Sequence, residues 1–319
     1  MDAPQTRMFD MAEVPRVLSL AEKFTVPPFT VLNAAEGWWQ SRKKQWKDLG
    51  IRSEEGRDAR AYGSDNDHSF VGEHIGAVAG GQSIFDPVLT ELVYRWFSPP
   101  GGQILDPFAG GSVRGVVASY LGRHYSGIDL SRRQIDANWT NLTEIFSHEG
   151  GGFPGSCQWL EGNACYDIPK YMEPESMDFA FSCPPYYDLE VYSDDTRDLS
   201  VGTWDEFLVD YRTAIAATVA ALKPNRFAAI VVGEIRDKKT GMYRNFVGET
   251  VRAFEDAGAH FYNEAILVTP VGSIRMTVAR QFEASRKLGK RHQQLLVFVK
   301  NDPKLATRAC TGEIEPGVM

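Results

Sequence analysis

Four short polar segments in the 319-residue chain are of kinds that can hold or activate a small molecule. The first is Asp106-Pro107-Phe108-Ala109-Gly110-Gly111-Ser112. Its two adjacent glycines let the backbone approach a ligand closely at the start of a helix, where unpaired N–H groups point outward. The second is Asp129, 18 residues beyond Gly111. That is close to the separation at which a nucleotide-binding strand–helix–strand unit sets a carboxylate on a ribose diol. The third, Gly162-Asn163-Ala164, offers a polar side chain to an adenine edge. The fourth, Ser182-Cys183-Pro184-Pro185-Tyr186-Tyr187-Asp188, is a rigid turn with a thiol at its start and aromatic rings at its end. Each has a plainer reading when taken alone. An Asp-Pro-x-x-Gly-Gly run can be a simple turn, an acid such as Asp129 suits any helix N-terminus, Asn163 can be a turn residue, and Pro184-Pro185 can be a rigid corner plugged by a ring. What separates them from turns is their joint order along the chain.

Chemistry at these points needs elements that bring them together. Asp86 followed by Pro87 marks a helix start running through Trp96, since Asp caps well and Pro suits the first helical position. Beyond Ser98–Gly102 the pattern alternates: a strand at Gln103–Leu105, a helix at Val113–Leu121, a strand at Tyr125–Ile128, and a helix at Ser131–Ile145 capped by Ser131. Strands follow at Cys157–Leu160 and Met177–Ser182, a long helix at Trp204–Leu222, and a wholly apolar strand at Phe227–Val232. A helix at Phe246–Ala257 precedes two strands, Phe261–Val268 and Leu295–Lys300, with no helical pattern between them. Such alternation predicts an α/β fold: a doubly wound, mostly parallel sheet with an antiparallel edge hairpin. In such a sheet the ligand lies beyond the C-terminal strand ends, and each of the four polar segments follows a strand. Residues 1–80 read as an irregular N-terminal arm, a candidate contact or lid segment, 81–300 as the catalytic domain with a basic loop at 270–293, and 301–319 as a loose tail. Within the arm, Trp38 to Lys47 mixes aromatics and bases at helical spacing.

Composition sets the limits. Hydrophobic residues at 43% and charged residues at 24% describe an ordinary globular chain, which removes disordered and fibrous classes. The net charge of −8 removes proteins that coat a polyanion by bulk charge, so any nucleic-acid contact has to come from local patches. No apolar run approaches a membrane span, and Met1–Val14 has no apolar segment behind a basic start. Cys157, Cys165, Cys183 and Cys310 form no C-x-x-C pair, so the expectation is a reduced, cytoplasmic protein with neither zinc site nor disulfide framework.

Asp106-Pro-Phe-Ala-Gly110-Gly111 together with Cys183-Pro-Pro-Tyr186 resembles the amino-methylating group of S-adenosylmethionine-dependent DNA methyltransferases. The patterns of that group are D-P-F-x-G-x-G and [D/N/S]-P-P-[Y/F/W]. The resemblance covers about residues 80–300. Asp188-Leu-Glu-Val-Tyr192-Ser-Asp-Asp195 and Arg286-Lys-Leu-Gly-Lys-Arg-His292 are similar to stretches in modification methylases carried by phages and prophages, whose setting is DNA methylation in restriction-modification. The resemblance implies a Rossmann-like methyltransferase fold, S-adenosylmethionine as cofactor and double-stranded DNA as partner. Phe85 and Asp86, with Pro87, match the motif that holds the methionine end. Asp106, Pro107, Phe108 and Gly110 would line the cofactor pocket, Asp129 would bind the ribose and Asn163 the adenine. The group usually has an acid where Asn163 stands, and Ser112 replaces its second glycine. Tyr186 would stack on a base rotated out of the duplex, Pro185 would stiffen the turn, and the Pro184 carbonyl would accept a hydrogen bond from the exocyclic amine of cytosine (N4) or adenine (N6).

Cys183 is the departure, because a thiol is a weak acceptor where the group has Asp, Asn or Ser. It is compatible with amino methylation through a serine-like variant. The alternative is C5 methylation of cytosine, with Cys183 as covalent nucleophile and Glu234, at the end of Phe227–Val232, as the acid holding the ring. The plainer readings are an inert buried thiol and an acid paired with Arg236 or Lys238. For gripping a duplex, Arg275, Arg280, Arg286, Lys287, Lys290 and Arg291 stand against the single acid Glu283, a patch suited to phosphates unless it is a solvated loop. The Trp38–Lys47 segment is a second candidate, unless its tryptophans dock on the core. Other classes remain as alternatives: an RNA methyltransferase, a non-catalytic nucleic-acid-binding protein, and a dinucleotide-dependent oxidoreductase, whose G-x-G-x-x-G is not matched at Asp106–Gly111.

Overall fold

A computed structural model describes residues 24–52, 85–187, 199, 201–270 and 274–311. Much of the N-terminal arm, the Asp188–Asp195 stretch and residues 312–319 lie outside the described residues. The strands are β1 (Val31–Asn33), β2 (Gln103–Asp106), β3 (His124–Asp129), β4 (Ser156–Glu161), β5 (Phe179–Ser182), β6 (Arg226–Val232), β7 (His260–Val268) and β8 (His292–Lys300). The helices are α1 (Gly37–Asp48), α2 (Pro87–Phe97), α3 (Val113–Tyr120), α4 (Arg132–Glu149), α5 (Ala164–Tyr171), α6 (Trp204–Ala221), α7 (Phe246–Asp256), α8 (Ile274–Ser285) and α9 (Pro303–Thr311).

The eight strands form one sheet in the order β1-β7-β8-β6-β5-β2-β3-β4. All neighbouring pairs are parallel except those of β8, which runs antiparallel to both β6 and β7. This is the doubly wound, mostly parallel sheet that the alternating pattern predicts, with the antiparallel strands to one side. Three-residue β1 lies outside them, paired with β7 from Val31↔Ile266 to Asn33↔Val268. From β2 the chain winds outward through β3 and β4, then returns to place β5 on the other side of β2 and continues to β6. The strand order therefore reverses between β2 and β5, and that is where an open α/β sheet leaves a crevice for a ligand.

Alternation along the strands builds two cores. On β6, Phe227, Ala229 and Val231 face α1–α4 and α9, whereas Ala228, Ile230 and Val232 face α5–α7. Helix ends follow the caps read from sequence. Asp86 accepts from the Val88 and Leu89 amides with Pro87 in the first turn, and Ser131 accepts from Gln134. Thr203 and Glu206 form a reciprocal capping box at the start of α6.

Three segments depart from expectation. The tail carries α9, whose Ala306 is buried and whose first turn is capped by Asp302 through the Lys304 and Leu305 amides. The Asp302-Pro303 pair was a legible start signal. The basic loop contains α8, and its side of the sheet is not irregular throughout. Asn163 caps α5, a helix with Pro169 inside it that sequence patterning did not separate from a turn. In the N-terminal arm, Trp39 and Trp46 of α1 are buried and their indole N–H groups donate to Asp86 and Glu91. Arg42 and Lys43 pair with Glu91 and Asp86. Those two bases are paired with α2 and its cap, so α1 is docked on α2. Among the described residues no helix is long and apolar enough to cross a membrane.

Candidate active site

The glycine turn leaves β2 and the double-proline turn leaves β5, on adjacent strands either side of the reversal. A single hydroxyl joins them: Ser182 Oγ donates to Asp106 Oδ1 at 2.6 Å and accepts from the Phe108 amide at 3.2 Å. The last residue before Cys183 is thus fastened to the first residue of the glycine turn.

Asp106 is fully buried, and its carboxylate is consumed by that fastening. Oδ2 accepts from Arg114 Nε at 2.5 Å and from the Tyr125 hydroxyl at 2.8 Å, and Oδ1 also accepts from the Phe108 amide at 3.2 Å. The Arg114 guanidinium continues to the carbonyls of Phe108 and Ala109 at 2.7 and 2.9 Å. Burial opposes charge on Arg114, yet Asp106 beside it raises its pKa above the ordinary arginine value. Asp106 therefore shapes the glycine turn through Arg114, with its own oxygens turned away from solvent. Arg114 went unassigned in the sequence, although a lone base in the apolar run Val113–Tyr120 is the mark of a buried partner.

Pro107 is buried, and Phe108 is partly exposed with its ring stacked on Tyr211, centroids 6.3 Å apart. Gly110 has φ +52°, a conformation that favours glycine. Its amide donates to Asp129 Oδ2 at 2.8 Å, and its carbonyl accepts from Asn138 at 2.8 Å. Asp129 Oδ1 accepts from the Ser131 amide at 2.8 Å. The carboxylate thus sits at the tip of β3, tied to the glycine turn on one side and the start of α4 on the other. Asn163, at the tip of β4, accepts from the Cys165 amide as the cap of α5, so its side-chain oxygen has a structural duty.

Phe85 packs edge-on against Phe181, centroids 5.6 Å apart, with the Arg114 guanidinium 4.5 Å above its ring. It lies over the same buried pair that supports the glycine turn. Asp86 does not join it there. Its carboxylate is divided among the α2 cap, Trp39 and Lys43, which makes it the anchor of α1.

On the other side of the reversal the groups are less settled. Cys183 is a partly buried thiol outside any disulfide, in contact with both cores. Tyr186 is 4% exposed, with its ring against Phe246 and its hydroxyl accepting from Gln293 at 2.9 Å. In this conformation that ring is covered, so stacking on a base requires the turn to move. Tyr187, next in line, has φ +49°, a strained value for a bulky residue. Its ring is held by Trp204, Phe207 and the Arg244 guanidinium, and its hydroxyl donates to the Gly202 carbonyl.

Glu234 leaves β6 and accepts from the Phe246 amide at 3.1 Å, capping α7 in place of Asn245, which sits at φ +58° without a side-chain cap bond. Lys290 donates to the Glu234 carbonyl at 3.1 Å. Burial lowers the Lys290 amine to about 8, with Glu234 raising it and Arg236 lowering it further. Lys290, a member of the basic run, is half-buried, with its amine toward the end of β6. Arg280, Arg286 and Arg291 are exposed. Arg286 covers Phe282, and Arg291 donates to the Thr269 carbonyl. Lys287 packs over Gly241, and Arg275 lies in α8.

No family model matches the chain. Solved structures similar to it include an S-adenosylmethionine-dependent methyltransferase from Methanosarcina mazei, at 15% identity and TM-score 0.44, covering 66% of this chain and 97% of that one. A geranyl diphosphate C-methyltransferase from Streptomyces coelicolor, solved with S-adenosylhomocysteine, is 13% identical at TM-score 0.45, covering 83% and 99%. The [4+2]-cyclase SpnF is 13% identical at TM-score 0.47, covering 82% and 96%. Likeness at this level leaves the reaction to be argued from the site.

Proposed function

We propose that the chain is an S-adenosylmethionine-dependent methyltransferase that methylates the exocyclic amine of a base in double-stranded DNA. The observation that carries this reading is the Ser182 hydroxyl, which locks the glycine turn and the double-proline turn together at the strand-order reversal. A donor held by one turn and an amine held by the other would then meet at one rim of the sheet.

The residues present fit the cofactor. Gly110 supplies a left-handed backbone corner that keeps the turn close to a ligand, and Asp129 supplies a carboxylate at the neighbouring strand tip. Phe108 and Gly110 would cradle the donor, Asp129 would accept from ribose hydroxyls, and Asn163 would meet the adenine edge through whatever its capping duty leaves. When bound, S-adenosylmethionine supplies an electrophilic methyl group. The Pro184 carbonyl accepts one N–H of the target amine, which draws the nitrogen lone pair out of conjugation with the ring. Holding that nitrogen in line provides most of the acceleration, since well-oriented reactants can recover roughly 7–11 kcal/mol of the barrier. The exposed Arg280, Arg286 and Arg291 are suited to phosphates and would make binding sensitive to salt.

The test is nucleoside mass analysis of DNA incubated with the protein and isotopically labelled cofactor, with RNA in parallel. Labelled N4-methylcytosine or N6-methyladenine is the expected product. Labelled 5-methylcytosine, with a covalent adduct on 5-fluorocytosine DNA that Cys183→Ser abolishes, would move the chemistry to carbon. Label in RNA alone would change the substrate. Calorimetry that finds no uptake of S-adenosylmethionine would overturn the reading altogether.

A further inference from the structure

Lys290 belongs to the basic run by sequence, but its amine is placed at the tip of β6. It lies 2.7 Å from the point where a Cβ would stand on Gly233, and the edge of the Tyr186 ring is 3.7 Å from that same point. The absent side chain at Gly233 is what gives the amine its berth beside the double-proline turn. Gln293, three residues on, holds the Tyr186 hydroxyl. The segment that enters the sheet as β8 therefore grips the turn through Gln293 and sets the Lys290 amine beside it. Of the three donors on Lys290, one goes to the Glu234 carbonyl, and among the described residues no carboxylate forms an ion pair with it. The titratable and charged groups around it are Glu234 and Arg236 beyond β6, Tyr186 of the turn, and His292 at the start of β8.

We propose that Lys290 is the proton acceptor of the methyl transfer, its neutral amine taking the proton that the attacking exocyclic nitrogen must shed. The inference rests on the amino-methyltransferase reading above. In that reaction the nitrogen lone pair forms the new N–CH3 bond while the carbon–sulfur electron pair leaves with the sulfur as a neutral thioether. The nitrogen is left with one proton too many. The Pro184 carbonyl can hold an N–H but cannot take its proton, and the Cys183 thiol is a weak acceptor. A neutral lysine amine accepts the proton, becomes an ammonium, and returns it to water once the product leaves. Burial that brings this amine to about 8 makes the neutral form accessible at working pH, where a general base is most effective.

The experiment compares single-turnover methyl transfer across pH in the wild type, Lys290→Ala, Lys290→Arg and Gly233→Ala. It is paired with titration of 13C-methylene lysine signals, which needs no activity. The wild-type rate is expected to rise with pH and level off above about 8. Lys290→Ala is expected to fall about a hundredfold or more, to lose that rise, and to be rescued by added methylamine. Lys290→Arg keeps the charge and the donors but cannot accept a proton, so it is expected to be as slow as the alanine variant. In Gly233→Ala the new methyl displaces only the flexible end of Lys290, so the fold is kept. The low-titrating lysine signal is then expected to move back toward the ordinary value as the rate falls. Wild-type-like rate and pH profile in Lys290→Arg, or a Lys290 signal that titrates like an exposed lysine, would overturn the assignment while leaving the methyltransferase reading intact. A wild type that binds no S-adenosylmethionine or transfers no methyl would overturn both.

Discussion

The two halves of the sheet rim are built on different terms. On the glycine-turn side, β2, β3 and β4 end in groups already committed to one another: Asp106 with Arg114, Tyr125 and Ser182, Asp129 with the Gly110 and Ser131 amides, and Asn163 with the cap of α5. On the double-proline side, β5 ends in a thiol and a bulky residue at positive φ, and β6 ends beside a half-buried lysine that donates to the Glu234 carbonyl. The first half is a finished mould, which suits a ligand of fixed shape. The second half holds strain and reactive groups, which suits a substrate that must be admitted, held and changed.

The sharpest way to break the contrast is Asp106→Ala. It would strand the buried Arg114 guanidinium, and losing one partner of a buried pair costs about 3–5 kcal/mol, so urea unfolding should show a large drop in midpoint. Lost methyl transfer in that variant would report a failing fold rather than a missing cofactor contact. Pairing it with Arg114→Met is expected to restore much of the stability. If Asp106→Ala kept the wild-type midpoint, the idea of a pre-built half would be gone.

The next effect is at the back of the same half, where Glu91 fastens α1 to α2. Burial would raise its carboxyl, but Arg42 and Trp46 prevail and hold it below the ordinary value. A lowered folded pKa means that the stabilisation is present above the ordinary carboxylate value and is lost as pH falls through the folded one. Unfolding midpoints should fall as the solution is taken below the ordinary carboxylate range. Glu91→Gln should flatten that dependence while costing about 1.5–3 kcal/mol at neutral pH. An unchanged acid profile in Glu91→Gln would assign the sensitivity elsewhere.

Asp129→Ala removes an acceptor from both the turn and the ribose. It is expected to weaken S-adenosylmethionine about tenfold by calorimetry, since a hydrogen bond to a charged group is worth about 1.5 kcal/mol or more. Unaltered affinity would show that the carboxylate serves the turn alone.

The smallest expected change in stability is on the reactive side. Cys183→Ser should shift the unfolding midpoint by no more than about 1 kcal/mol. With the amine as target, serine is the better acceptor and methyl transfer should persist or rise. A total loss of transfer would point to the thiol as nucleophile.

Much of the scaffold was legible because it depends on local rules. Asp86-Pro87 and Ser131 announced helix starts, the apolar run Phe227–Val232 announced a strand buried on both faces, and the four polar segments announced strand ends. Weaker signals were passed over. The Asp302-Pro303 start of α9 was taken for tail, and α8 for loop, because short amphipathic runs do not stand out from polar surroundings. Within the site, the sequence showed residue types but not their partners. Asp86 and Asp106 look like ligand-facing acids in a motif, yet one anchors α1 and the other neutralises an arginine.

The order of the turns, the residue types they carry and the doubly wound sheet were set by the sequence itself, since periodicity, capping and turn chemistry act over a few neighbouring residues. Which carboxylates remain for a ligand was decided by the tertiary structure alone. So was the inward turn of Lys290 onto Gly233, a contact spanning the distance from the end of β6 to the start of β8. The physical reason is that a charged group's role depends on what pairs with it, and such a partner can come from a distant element, as the Trp39 indole and the Lys43 ammonium do for Asp86.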